Sequence, residues 1–143
     1  MASTYYSSAV LNKDYPSSNV PTGMVLAAKG TYTVPSGDLE AGDTVQMVWV
    51  PKGAVIIDVI LTCTNGTVAS MTIDVGDGAD PDRYIDGVDG SAAFITSLSS
   101  AGDTANDGVG HEYTAADTID ILLSHAALED DAYTLVVTYT IAQ

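Results

Sequence analysis

The sequence predicts an all-β fold: a β-sandwich, jelly-roll-like in layout, with an extended N-terminal arm. Three observations carry this. Apolar residues alternate or cluster in short runs. No segment sustains a helical period. Turn signals recur about every 8–12 residues, the spacing of a sandwich or barrel. Residues 1–23 read as the arm and residues 24–143 as a single sandwich domain. At 143 residues the chain has the length of one ordinary domain, large enough to bury a core without staples.

The arm is rich in Ser, Tyr, Asn and Pro, and Pro16 and Pro21 interrupt it. Tyr5, Tyr6 and Tyr15 are its candidate anchors on a neighbouring molecule, because a tyrosine offers a large apolar body and a polar tip. A frayed tail is the alternative reading.

From Met24 the pattern changes. Met24–Val34 is β-rich and stops at Pro35-Ser36-Gly37. Asp43–Val50 alternates, which predicts Val45, Met47 and Trp49 on one face and Trp49 in the core. Pro51-Lys52-Gly53 is a turn. Ala54–Cys63 is nearly continuous in apolar residues, the mark of a central strand, with Asp58 its one charged interruption. Asn65-Gly66 predicts a two-residue hairpin into a strand over Val68–Val75. Gly76–Gly110 is loop-rich, with β-like pieces at Tyr84-Ile85 and Ala92–Leu98. A short strand is expected over Gly108–Tyr113. Asp117–Leu123 and Ala132–Ile141 complete the set, joined by a turn at Glu129-Asp130-Asp131. Ala41-Gly42-Asp43-Thr44-Val45 is echoed by Ala115-Ala116-Asp117-Thr118-Ile119, and each phrase leads into a strand, a turn and a return strand. Such an echo fits two related halves.

Catalytic signatures are missing. There is no G-x-S-x-G elbow and no phosphate-binding loop, and His111-Glu112 lacks the second histidine of a zinc motif. The expectation is therefore a protein that is not an enzyme and takes no cofactor. Cys63 is the only cysteine, which leaves no partner for an intrachain disulfide, and it lies in an apolar run where an inert buried thiol is expected. The sharpest polar cluster runs from Asp74 to Arg83. Asp74, Asp77, Asp80 and Asp82 form a weak calcium alternative, set against the simpler reading of Asp- and Gly-built turns with no metal.

Nineteen acidic residues face four basic ones, Lys13, Lys29, Lys52 and Arg83, for a net charge of −15. Binding to nucleic acid or to an anionic membrane needs clustered Lys and Arg, so neither partner is expected. The N-terminus has neither a basic n-region nor an apolar h-region, which predicts synthesis in a cytoplasm without signal-peptide export.

Several phrases then occur in order after the arm: Leu39-Glu40-Ala41-Gly42-Asp43-Thr44-Val45, Val50-Pro51-Lys52-Gly53-Ala54, Ile73-Asp74-Val75-Gly76-Asp77-Gly78, Asp82-Arg83-Tyr84-Ile85 and Tyr113-Thr114-Ala115-Ala116-Asp117-Thr118-Ile119-Asp120. From about Tyr32 onward the chain resembles small virion structural proteins of tailed bacteriophages, in particular capsid cement or decoration proteins. The resemblance implies a jelly-roll-like sandwich bound to the outer capsid surface, with the major capsid protein as partner. It also implies self-association, a homotrimer favoured and a dimer as the alternative, with the arm as a staple. A carbohydrate- or receptor-binding virion module, such as a fibre tip, is the competing function.

Overall fold

Alternating and apolar runs become strands wherever one or both faces can be buried. The computed structural model describes residues 2–13, 21, 23–35, 39–66, 69–100, 108–127 and 131–142. Among these the order is β1 (Thr4–Tyr6), α1 (Ser8–Leu11), β2 (Leu26–Thr33), β3 (Thr44–Val50), β4 (Ala54–Cys63), β5 (Thr72–Gly76), β6 (Ile85–Asp89), β7 (Phe94–Ser97), β8 (Asp117–Leu123) and β9 (Ala132–Ile141).

The strands form two sheets, a five-stranded one in the order β1-β3-β8-β5-β6 and a four-stranded one in the order β2-β9-β4-β7. Four antiparallel pairings nest inside one another along the sequence: β2 with β9, β3 with β8, β4 with β7, and β5 with β6. Two more, β4 with β9 and β5 with β8, join the nested pairs side by side. This is one long hairpin rolled into two sheets, the wiring of an eight-stranded jelly roll. β1 is added outside that scheme and pairs in parallel with the edge of β3.

The inner faces make one dry core. Val45, Met47, Ile56, Leu61, Ile73, Ile119, Ile121, Leu135 and Val137 are all buried in it. Tyr84, Tyr133 and Tyr139 are fully buried as well. Cys63 lies in the core, and burial pushes its thiol pKa up.

Four local expectations change. The Asn65-Gly66 step is not a hairpin, because β4 and β5 belong to different sheets. Gly66 keeps the positive φ, +62°, that the dipeptide favours. Its N–H donates to Asp131 Oδ1, and a Cβ there would strike the Ala92 backbone. The turn chemistry is local, but the sheet that receives the next strand is not. Trp49 is not in the core. A bulge between Gln46 and Val48 breaks the alternation of β3. Val45, Met47, Val48 and Val50 are buried, while Trp49 is half-buried. Gly108–Tyr113 is no strand. It runs along the start of β4 with one isolated bridge, Val55 to Glu112. The echoed phrases open β3 and β8, which pair with each other, and the strands that follow them, β4 and β9, pair in the other sheet. Each echoed unit therefore turns a corner between sheets instead of closing a hairpin.

Within the N-terminal segment, residues 4–6 belong to the five-stranded sheet. Asp43, 1% exposed, accepts from the N–H groups of Ser3 and Glu40, each at 2.7 Å. Ser7 caps α1 by accepting from the Val10 N–H, and its hydroxyl donates to the Met47 carbonyl at the bulge. Gly30 of β2 packs on the same carbonyl, so that a Cβ would collide with it. A short arm, a bulge and a glycine thus meet at one buried point.

Gly30→Ala is expected to cost about 1–3 kcal/mol of unfolding free energy, the usual range for overpacking. Gly78→Ala adds a methyl group with nothing within 4 Å and is expected to stay within about 0.5 kcal/mol of the parent. Urea denaturation of the two variants checks both.

Candidate interaction surface

With one face of every strand given to the core, the other face is free to carry function. On the four-stranded sheet the outward positions follow from register. Lys29 sits opposite Val136, Val136 opposite Ile60, and Ile60 opposite Ser97. The next row is Thr31, Thr134, Thr62 and Ile95. A third holds Ala27, Thr138 and Asp58. The charges in these rows are Lys29 and Asp58, on a chain whose net charge is −15. Asp58 is half-buried at a bulge of β4, and its carboxylate accepts from the Val59 N–H, the Ser99 N–H and the Ser99 hydroxyl. Its charge is therefore spent locally. Ile95 is 75% exposed, and Ile57 beside the bulge 41%. Four strands about 4.8 Å apart and some eight residues long present roughly 400–500 Å². That is about half of one partner's share of a standard interface.

The five-stranded sheet carries the opposite character. Its outward positions and flanking turn hold Asp74, Asp77, Asp80, Asp82, Asp86 and Asp120. Asp77 is the centre of a closed network. Its Oδ1 accepts from the Ala79 and Asp80 N–H groups, and its Oδ2 from Arg83 Nε at 2.8 Å and the Tyr113 hydroxyl at 2.9 Å. The hydroxyls of Tyr113 and Tyr84 are 2.7 Å apart. Arg83 also donates to His111 Nδ1 at 3.3 Å. Burial pushes the Asp77 carboxyl up, but the bonds from Arg83, Tyr113 and Ala79 outweigh it and hold the group below the usual carboxylate range.

The other members of the calcium alternative are spread around this turn. Asp74 accepts from the Gly87 N–H, and burial raises its pKa. Asp80 lies 3.8 Å from Arg83 Nη2, and Asp82 is exposed. Among the described residues no three His, Cys, Asp or Glu side chains are grouped so as to hold a metal ion.

Of the three tyrosine anchors, Tyr5 is half-buried with its ring 6.3 Å from that of Tyr32, and Tyr6 is 44% exposed. Tyr15 lies outside the described residues. Near them Leu11, Met24 and Val25 in the sequence are also exposed, at 65%, 47% and 65%.

Sequence reasoning did not find the charge-poor face or Asp120. The signal for the face was present as Thr134, Val136, Thr138 and Thr140 alternating with buried Tyr133, Leu135, Val137 and Tyr139. Asp120 is 9% exposed, and among the described residues its Oδ1 has no hydrogen-bond partner. Burial pushes its pKa up to about 7; a bond with Thr118 opposes this, and the charges of Asp117 and Asp77 add to it.

Solved structures share this fold. A chain from the capsid of Ralstonia phage GP4 matches with a TM-score of 0.76 at 16% identity, over 98% of this chain and 99% of that one. A chain from the capsid asymmetric unit of cyanophage Pam1 matches at 0.60 and 20% identity, over 85% and 87%. A chain from the acidic stable capsid of Helicobacter pylori bacteriophage KHP30 matches at 0.60 and 18%, over 86% and 92%. No protein-family model matches the chain, and no curated protein matches it in sequence.

Tyr113→Phe removes one donor from buried Asp77 and is expected to cost about 1–3 kcal/mol at neutral pH. The folded pKa of Asp77 lies below the unfolded value of about 3.9. Its stabilisation is therefore present above that value and lost as pH falls through the folded pKa. Urea midpoints at neutral and acid pH should show a smaller difference between variant and parent in acid. Asp120 has the opposite sign. Its folded pKa is raised, so its contribution is present below about pH 4 and is lost as pH rises through about 7. Asp120→Asn is expected to be more stable than the parent at about pH 8, with the gap narrowing as pH falls and closing by about pH 4. Thermal melts across that range read the difference.

Proposed function

We propose that this chain is a virion structural protein, a cement or decoration protein that binds the outside of a tailed-phage head and bridges major capsid protein subunits. It acts by binding and carries out no catalysis. The observation that carries the reading is the Thr/Val/Ile face of the four-stranded sheet, whose rows hold Lys29 and Asp58 as their charges on an otherwise strongly acidic molecule. Soluble proteins seldom keep such a face so poor in charge unless something covers it. The three capsid folds described above support the same reading, as does the resemblance in the ordered sequence phrases.

The face supplies about half of one partner's share of a standard contact. The second contact is assigned to the exposed apolar residues of the N-terminal segment and the lead-in to β2, namely Tyr6, Leu11, Met24 and Val25. Two separate contacts are what bridging requires. The acidic sheet then points to solvent, where like charge between neighbouring copies keeps particles apart. Self-association as a trimer, with a dimer as the alternative, belongs to the same proposal.

The test is occupancy on undecorated heads. Ile95→Asp places a charge at the exposed isoleucine of the edge strand β7 of the proposed contact and is expected to weaken binding at least tenfold, about 1.4 kcal/mol. Asp86→Lys on the acidic side is expected to leave it unchanged. Equal occupancy and equal particle melting for Ile95→Asp and the parent would remove this face from the interface.

A further inference from the structure

Each sheet ends in two edge strands, β1 and β6 in one, β2 and β7 in the other. An open edge is a row of backbone donors and acceptors that a further strand can take up. Three of the four edges are poorly suited to that. β1 has three residues and β7 four, and β6 carries Asp86 and Asp89 in its five. β2 differs. It is eight residues long, holds no acidic residue, and has Lys29 as its one charge. On a chain of net charge −15 it is a long edge that two copies can bring together with little local repulsion.

Which groups of β2 face outward follows from one bond. Just past the strand, the Val34 N–H donates to the Asp131 carbonyl just before β9. Backbone groups alternate in direction along an antiparallel ladder. The even-numbered residues of β2 therefore face β9, and Ala27, Lys29, Thr31 and Thr33 turn their N–H and C=O groups away from it. Among the described residues these outward groups have no hydrogen-bond partner. The same four residues are exposed. Ser7 approaches β2 from the inner side, where its Oγ lies 3.1 Å from the place of the absent Gly30 Cβ and donates to the Met47 carbonyl.

We infer that β2 is a self-complementary edge that pairs antiparallel with β2 of a second copy about a twofold axis at Gly30. The residues themselves select that register. An axis at Lys29 sets two like charges directly opposite each other. An axis at Thr31 sets Ala27 against Pro35 of the second copy, which has no N–H to donate. An axis at Gly30 sets Ala27 against Thr33 of the second copy and Lys29 against Thr31 of the second copy. Every outward group of the four residues is then paired, and the residue on the axis has no side chain. A strand that pairs antiparallel with itself closes as a dimer, so the inference takes the dimer over the trimer. The two four-stranded sheets become one continuous sheet, with both Thr/Val/Ile faces on the same side. Together they present roughly 800–1,000 Å², one partner's full share of a standard interface, where a single copy offers about half. Only the use of that doubled face rests on the proposed virion role.

The experiment uses the full chain without any capsid. Sedimentation equilibrium is expected to show a dimer that dissociates on dilution, and the amides of Lys29 and Thr31 are expected to exchange more slowly as concentration rises. Thr31→Pro removes one outward donor at an edge, where proline is tolerated. It is expected to weaken dimerisation at least about tenfold and to leave the melting of the dilute protein near that of the parent. Should that variant not fold, a mixture of Lys29→Cys and Thr31→Cys decides. Opposed Cα atoms about 5.5 Å apart are within reach of a disulfide, so oxidation of the mixture should give a linked dimer and either variant alone should not. A monomer at every concentration, a trimer, a dimer indifferent to Thr31→Pro, or a mixture that does not link would overturn the edge pairing. Such a failure leaves capsid binding by single copies standing, and failure of the occupancy test leaves the dimer standing.

Discussion

Everything in the molecule hangs on two antiparallel strand pairs, β3 with β8 and β4 with β9, that occupy the middle of the two sheets. Each pair supplies one fully dry face: Val45, Met47, Ile119 and Ile121 from one side, Ile56, Leu61, Leu135 and Val137 from the other. Burying such faces is the main favourable term in folding. Because strand side chains alternate strictly, a slip of one residue in either pair would turn the whole apolar set outward. The other strands extend these pairs, and β1 extends them once more.

Buried polar groups tie the loops to that frame, beside apolar anchors such as Leu39, Met71 and Leu98. Asp43 holds the N-terminal segment, Asp77 holds the turn after β5 against Arg83 and Tyr113, and the Asp131 carboxylate holds Gly66. In each case the carboxylate meets donors at hydrogen-bond distance, the condition under which a buried charge is tolerable. Asp120, 9% exposed, is not matched in this way, and burial raises its pKa where the donors of Asp77 lower that group's. The two aspartates, which line one cavity with Thr44 and Leu122, therefore contribute to stability with opposite dependence on pH.

The division of charge follows from the same frame. Once each strand commits one face to the core, the outward faces are independent of folding and can differ. One sheet turns Thr, Val and Ile outward; the other gathers Asp. A uniformly acidic surface would serve solubility alone. The segregation is what separates a face suited to contact from one suited to water.

Much was legible in the chain itself. Ala54–Cys63 and Ala132–Ile141 were readable as strands to the residue, because their patterning depends on local burial alone. The all-β class and the acidic, Lys-poor surface were equally plain, as was the turn chemistry of the Asp77 loop. Tertiary structure decided what depends on neighbours. The bulge that moved Trp49 out of the core arises from how β3 meets β8, and Asn65-Gly66 became a crossing because β5 found its partner in the other sheet. The charge-poor face needed four strands side by side. Local sequence sets the period and the turn preference of a segment. Which segments lie beside each other is set by long-range pairing, which one chain of letters does not display.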